Sequence, residues 1–333
     1  MNTKPSRRSI LIGGAAAAVA PLLASCGGDS SSGNSSKKSI KATVGYIADG
    51  NGTSTVAVAD KLKLWDKHGI DVTIKEFTDG PTQIQALGTG DLQFAYTGPG
   101  ALWLPMQGKA KIAAIVSLGE ADRIIGQKGI TSIKDLKGKT VGVPEGTSGD
   151  MLLSLALKNA GLSDDDIKKV TMDPPTVISA FQSGKIDGAA IWYPHVATIK
   201  KHTPGTVEIA KSADFPDLNF LSTYMTGTDM ADENPELLKR FDALAKEANT
   251  WKRKNSDKMV SVLKKKLDAP ETALREEHKY INVLPTDEIV QKTKDGTIDT
   301  WLKTLNKQFK AMGKVQDIAD PKDYYLGDEY VKA

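Results

Sequence analysis

The chain has one cysteine, Cys26, and only four histidines, His68, His195, His202 and His278, in 333 residues. A single thiol excludes an intramolecular disulfide and a cysteine zinc cluster, and the histidines show none of the short spacings of a metal site. No GxxxxGK[ST] loop, no GxGxxG turn after a strand and no GxSxG elbow is present, so a nucleotide fingerprint is absent and local motifs for an enzyme are poor. Excess charge is scarce as well. Of 44 Lys and Arg, three (Lys4, Arg7 and Arg8) fall in residues 1–25, which hold no acid, leaving 41 to face 41 Asp and Glu. The formal +3 therefore describes the N-terminal segment, and the remaining neutral body has no overall basic field for nucleic acid. With 40% hydrophobic and 26% charged residues, that body has an ordinary globular composition and is long enough for two lobes, each with its own core.

The first 25 residues read as a signal peptide: a basic start, a short Ala/Gly-rich apolar run and small residues before a cleavage point. The run is too short for a comfortable membrane span. Leu23-Ala24-Ser25-Cys26 resembles the bacterial lipobox, in which the cysteine is lipidated and becomes the new N-terminus. Ser6-Arg7-Arg8-Ser9-Ile10-Leu11 resembles the twin-arginine export motif, although paired arginines also occur in general secretory signals, and both routes stay open. Residues 26–40, rich in Ser and Gly, cannot bury apolar surface and are expected to tether the protein to the outer (or periplasmic) face of the cell membrane.

From Lys41 onward, short β-rich runs alternate with helical ones. Strands are expected at 42–47, 72–77, 92–96 and 112–118, with helices at 54–67, 81–88 and 100–107. A second series has strands at 140–143, 169–172, 186–192 and 207–211, with helices at 147–160, 176–183 and 194–201. Such alternation predicts βαβ units and a largely parallel sheet. Between the series lies Gly129–Lys139, a polar stretch suited to a crossing between lobes, so residues 41–128 and 222–333 are assigned to lobe 1 and 129–221 to lobe 2. The last third is mostly helical. Leu237, Phe241, Leu244, Ala248 and Trp251 form one apolar stripe and Ile298, Trp301, Leu305, Phe309 and Met312 another, both read as core.

Two glycine-rich strand-to-helix turns are the best candidates for binding. One is Tyr96-Thr97-Gly98-Pro99-Gly100; the other is Pro144-Glu145-Gly146-Thr147-Ser148-Gly149. Backbone N–H groups at such turns, with the hydroxyls of Thr97, Thr147 and Ser148, suit an anion, and in open α/β sheets these turns lie at the ligand end of the strands. Either turn alone is also ordinary punctuation; one in each lobe favours a site between them. Trp192, closing a strand with Tyr193, is either core or the wall of that cleft, and the cleft is the preferred reading. Asp122 is a carboxylate for a cationic group or an exposed turn acid. His195 reads as a surface or rim residue at a helix start.

Three segments carry a family resemblance: Gly80–Asp91, Asp135–Val143 and the run from Pro174-Pro175 to Trp192-Tyr193-Pro194. They resemble the substrate-binding proteins for taurine, aliphatic sulfonates and nitrate, the last run being most similar to the taurine branch. The resemblance implies an α/β, two-lobe periplasmic-binding-protein fold of the second type, with two hinge crossings and a helical C-terminal part. It implies a small anionic or zwitterionic ligand, delivered to an ABC permease and its ATPase subunit, with no cofactor, metal or catalysis. Carried over by position, Thr97, Gly98, Thr147 and Ser148 grip the anion, Trp192 forms the wall, and Asp122 and Asn219 stand where the taurine pattern has acids for the amine. Asn219 is an amide, which leaves room for a different sulfonate. Nitrate and a thiamine-precursor pyrimidine are the alternatives within the family. A pyrimidine synthase with the same fold depends on a cysteine-rich motif that this chain lacks.

Overall fold

The computed structural model describes residues 38–333. The signal segment, the twin-arginine stretch, Cys26 and the tether up to residue 37 lie outside the described residues. In chain order the strands are β1 (Ile40–Ile47), β2 (Ile70–Phe77), β3 (Phe94–Thr97), β4 (Lys111–Gly119), β5 (Asp122–Gly126), β6 (Thr140–Val143), β7 (Lys168–Thr171), β8 (Gly188–Trp192), β9 (Val207–Lys211), β10 (Leu221–Thr226) and β11 (Ile281–Asn282). Acidic caps set the entry of several helices that follow strands. Asp49, Asp79 and Asp173 each accept a first-turn N–H in the helices Gly50–Leu62, Gly80–Gly88 and Pro174–Gln182, and the last two place proline in the first turn, where no donor is lost. No helix among the described residues is long and apolar enough to cross a membrane.

The strands form two sheets, ordered β11-β4-β10-β3-β1-β2 and β7-β6-β8-β5-β9. Both are mixed, which corrects the expectation of a largely parallel sheet: β1 pairs parallel with β2 and β3, and β6 with β7 and β8, but β10 is antiparallel to β3 and β4, and β5 to β8 and β9. The cause is topological. The like-directed strands end at the cleft between the sheets, so a strand arriving from the other lobe starts at the cleft and runs away from it. β5 and β10 are those arriving strands. The chain thus changes sheet at Gly119–Asp122 and again between β9 and β10. The segment Gly129–Lys139, expected as the crossing, instead joins β5 to β6 within the second sheet, and β5, expected in lobe 1, belongs to lobe 2.

The first sheet and the C-terminal helices share one core, which includes Val44, Phe94, Ile115, Leu244, Leu305 and Phe309. The helix Pro235–Lys254 delivers Phe241 onto Phe94 of β3, the rings stacked at 3.7 Å and 7°, and both side chains are fully buried. The second sheet is covered on one face by Leu152, Leu153 and Leu157 and on the other by Val177, Phe181 and Val196. Phe241→Ala is expected to cost about 3–5 kcal/mol through lost burial and the cavity left behind, measured as a lowered midpoint in denaturant unfolding.

Candidate functional site

The two crossings and the carboxyl ends of the strands surround a cavity of about 50 Å³, taken as the space open to the centre of a water molecule. One water needs about 10–15 Å³ by that measure, so the cavity admits a compact solute. Strand register builds one wall: Asp122 of β5 lies directly opposite Trp192 of β8. Gly98, which follows β3, and Thr147 with Ser148, which follow β6, line it from the two lobes. Thr147 occupies the N-cap of the helix Ser148–Asn159, yet its hydroxyl donates back to the Pro144 carbonyl (2.6 Å), so no side chain caps that first turn. The same first turn holds the buried carboxylate of Asp150, whose Oδ2 accepts from Gly146 N (2.9 Å).

Gly98, Asp122, Thr147, Ser148 and Trp192 therefore meet in one place. Thr97 and Asn219 do not. Thr97 is fully buried, its hydroxyl 3.2 Å from that of Thr223 across the β3–β10 pair. Asn219 is half-buried in the second crossing, where its carbonyl accepts from Leu221 N (2.9 Å); β10 then turns Ser222, not Asn219, toward the cavity. His195 starts the helix His195–His202 edge-on to the Trp192 ring at 5.4 Å, and burial pushes its pKa down to about 4, so it is neutral.

The structure adds Asp49, Asn51, Ser222 and Glu277, which no candidate motif contained, and brings in Tyr96 from the first turn. Asp49 had a usable signal, since Asp-Gly-Asn-Gly after a strand is a cap and turn pattern. Glu277 had none: it is an ordinary helix acid, 227 residues from Gly50, whose N–H it accepts at 2.7 Å. Asn51 is fixed by Ser117 Oγ, which donates to its Oδ1 (2.9 Å), and by its own Nδ2 donating to Ser222 Oγ (3.1 Å). Three carboxylates thus line a cavity whose lining, among the described residues, includes no Lys or Arg. Arg123, next to Asp122, turns away to Glu208 Oε2 (3.0 Å) and to the carbonyls of Glu120 and Asp122 (each 2.7 Å). Burial pushes Asp49 up to about 7 and Asp122 up to about 6, and it raises Glu277 well above the usual carboxylate range, with the charge of Asp49 adding to the effect.

The lobes touch across this cavity. Trp192 Nε1 of lobe 2 donates to Asp49 Oδ2 of lobe 1 (3.1 Å). At the rim, Lys314 reaches Asp150 Oδ2 (3.3 Å) and Glu145 Oε1 (3.4 Å), and Tyr193 packs on Tyr280 at 5.2 Å.

With this geometry in place, comparison with known proteins is decisive. The sequence model described as NMT1/THI5-like matches residues 53–258. The chain belongs to the NMT1/THI5-like family. A Brucella abortus protein named only as a binding protein is 49% identical over 293 residues, 88% of this chain and 92% of its own. The taurine-binding periplasmic protein of Escherichia coli is 26% identical over 307 residues, 89% of this chain and 94% of its own. The solved alkanesulfonate-binding protein of Xanthomonas axonopodis, bound to MOPS, covers 87% of this chain and 99% of its own with a TM-score of 0.69 and 17% identity, which establishes the fold. This NMT1/THI5-like chain thus has the type II periplasmic-binding-protein architecture, and its 49%-identical relative is named as a binding protein.

Gly100 lies against the backbone of the other lobe: a Cβ there would lie 1.9 Å from the Thr147 carbonyl carbon and 2.1 Å from Ser148 N. Gly100→Ala is expected to hold the lobes apart, lowering ligand affinity and enlarging the ligand-bound radius of gyration in small-angle scattering. An unchanged radius and affinity would show that the lobes need not approach this closely.

Proposed function

We propose that the chain is the extracytoplasmic solute-binding component of an ABC importer, holding a small sulfonate, taurine or another alkanesulfonate, between its lobes and handing it to the permease. The observation that carries this reading is the uncapped first turn of the helix Ser148–Asn159, opening on the same cavity as the Gly98 turn of the other lobe. A sulfonate is ionised at every physiological pH, so its oxygens need only fixed donors, which the backbone N–H groups and the Ser148 hydroxyl supply. Because those donors come from both lobes, ligand favours the state in which the lobes meet, which the permease then reads. The taurine- and sulfonate-binding relatives support the same ligand class.

A second reading, a thiamine-precursor pyrimidine, is favoured by Tyr96, Trp192 and Tyr193 in the lining, which offer ring faces for stacking. A thermal-shift panel of taurine, ethanesulfonate, nitrate and hydroxymethylpyrimidine separates them. Ligand at about 100 times its Kd adds about 2.7 kcal/mol of stability. Absence of a shift with both sulfonates overturns the lead reading, whereas a shift with the pyrimidine alone establishes the second.

Lipidation of Cys26 is the companion proposal, keeping the binder beside the permease through the Ser/Gly-rich segment that follows it. Cys26→Ser is expected to move the protein from the membrane fraction into the soluble one. Equal membrane recovery of both forms would remove the anchor.

A further inference from the structure

The first turn of the helix Gly50–Leu62 carries more acid than a helix end requires. Asp49 Oδ1 accepts from Gly52 N (2.6 Å), and Glu277 Oε1 accepts from Gly50 N (2.7 Å) and Asn51 N (3.2 Å). Asp49 Oδ2 takes the Trp192 indole. Glu277 Oε2 is left over: it is buried without a hydrogen-bond partner, on a side chain that is 1% exposed and lines the cavity. Asp122 Oδ1, on a side chain 4% exposed in the same lining, is in the same condition.

The charged and titratable neighbours do not answer this need. Asp49 faces Glu277 and opposes its charge, while the nearby Tyr96 phenol, which burial keeps neutral, hydrogen-bonds Ser222. Lys252 commits its ammonium to Ser54 Oγ (3.3 Å) and Thr55 Oγ1 (3.1 Å), and the next residue, His278, pairs with Ser256 Oγ (2.9 Å). Among the described residues no group of three or more His, Cys, Asp or Glu is arranged to hold a metal ion. Two acids buried within repelling distance are a standing penalty, and a cap alone would be served by a neutral Gln.

We propose that Glu277, with Asp49 beside it, seats a positively charged, hydrogen-bond-donating group of the ligand, an ammonium or a protonated amino-heterocycle, and that the protein retains this acid pair against its own stability. The proposal rests on the ligand cleft of the function proposed above, but not on the sulfonate. It gives the cavity two unlike ends, donors at Ser148 and acceptors at Glu277.

The test is Glu277→Gln, which preserves the shape and the Oε1 acceptor. The folded-state pKa of Glu277 lies above that of the unfolded chain, so the folded state binds the extra proton between the two. Wild-type stability then falls as pH rises through that window. The variant lacks this loss: its Tm is expected to exceed wild type by about 2–4 °C at pH 8, with the gap closing toward pH 5. By calorimetry, taurine affinity is expected to fall about tenfold or more, as for a lost charge-assisted hydrogen bond, and that of ethanesulfonate to hold. Loss confined to taurine identifies an aminosulfonate. Loss for 4-aminopyrimidine, with neither sulfonate bound by wild type, keeps the seat and overturns the sulfonate reading instead. Glu277→Asp, which keeps the charge, is expected to retain the preference for amines at reduced affinity, and does so even if the Gln variant folds poorly. The proposal is overturned if no amine-bearing probe binds wild type, or if amine affinity is unchanged in Glu277→Gln. Equal destabilisation of the Gln variant at both pH values, with Glu277→Asp indifferent to amines, would mark a helix cap and nothing more.

Discussion

The carboxylate of Asp49 is shared among three demands that no other residue meets together. It closes the first turn of the helix Gly50–Leu62, it receives the Trp192 indole from the opposite lobe, and it stands against Glu277. The first demand fixes its backbone in the extended conformation after β1; the second ties one lobe to the other; the third makes its ionisation depend on a neighbour. Burial lifts its pKa to about 7, so the group is poised where a modest change of surroundings alters its charge. The arrangement of the cleft follows from where this one side chain can sit.

Two helices point their positive ends at the same cavity, and the chain treats them in opposite ways. The helix Gly50–Leu62 has its first-turn donors taken by Asp49 and Glu277, so its dipole is spent inside the protein. The helix Ser148–Asn159 has its cap hydroxyl turned back to Pro144 and the acid of its first turn, Asp150, turned to Gly146 N, so neither is spent on the first-turn N–H groups. Lobe 1 thus contributes Asp49 and Glu277 to the lining, and lobe 2 contributes Asp122 beside Thr147 and Ser148. A body without net charge can in this way hold a strongly polarised interior space, which suits recognition by local groups over long-range attraction.

Much of this was legible in short stretches of sequence. Strand and helix alternation, the stripes through Phe241 and Phe309, and the placement of Gly98, Thr147 and Ser148 all depend on neighbours within a few residues, where periodicity and turn chemistry act. The crossing was legible only in part: a crossing strand was expected at 123–128, where β5 arrives in the second sheet, but the boundary was set at Gly129–Lys139. Gly129–Lys139 has the polar, glycine-flanked composition of any surface connection, whereas the true passage at Gly119–Asp122 is too short to show a composition of its own. The antiparallel insertion of β5 and β10 is a consequence of the path between lobes, which no local pattern encodes. Glu277 illustrates the same limit at the site, because its partners at Gly50 and Asn51 are brought to it only by folding. Asn219 shows the opposite hazard: its role was transferred by position, while the turn at Leu221 keeps it out of the lining.

The strands that follow the crossings, β5 and β10, are each flanked on both sides by hydrogen-bonded neighbours. A twist applied at the short links between lobes is therefore delivered to the middle of each sheet and not to a loose border. Load introduced there spreads through two ladders at once, so each lobe answers as a stiff plate and the deformation stays in the links. Mechanically, the molecule is a pair of jaws whose axle is built into the plates themselves.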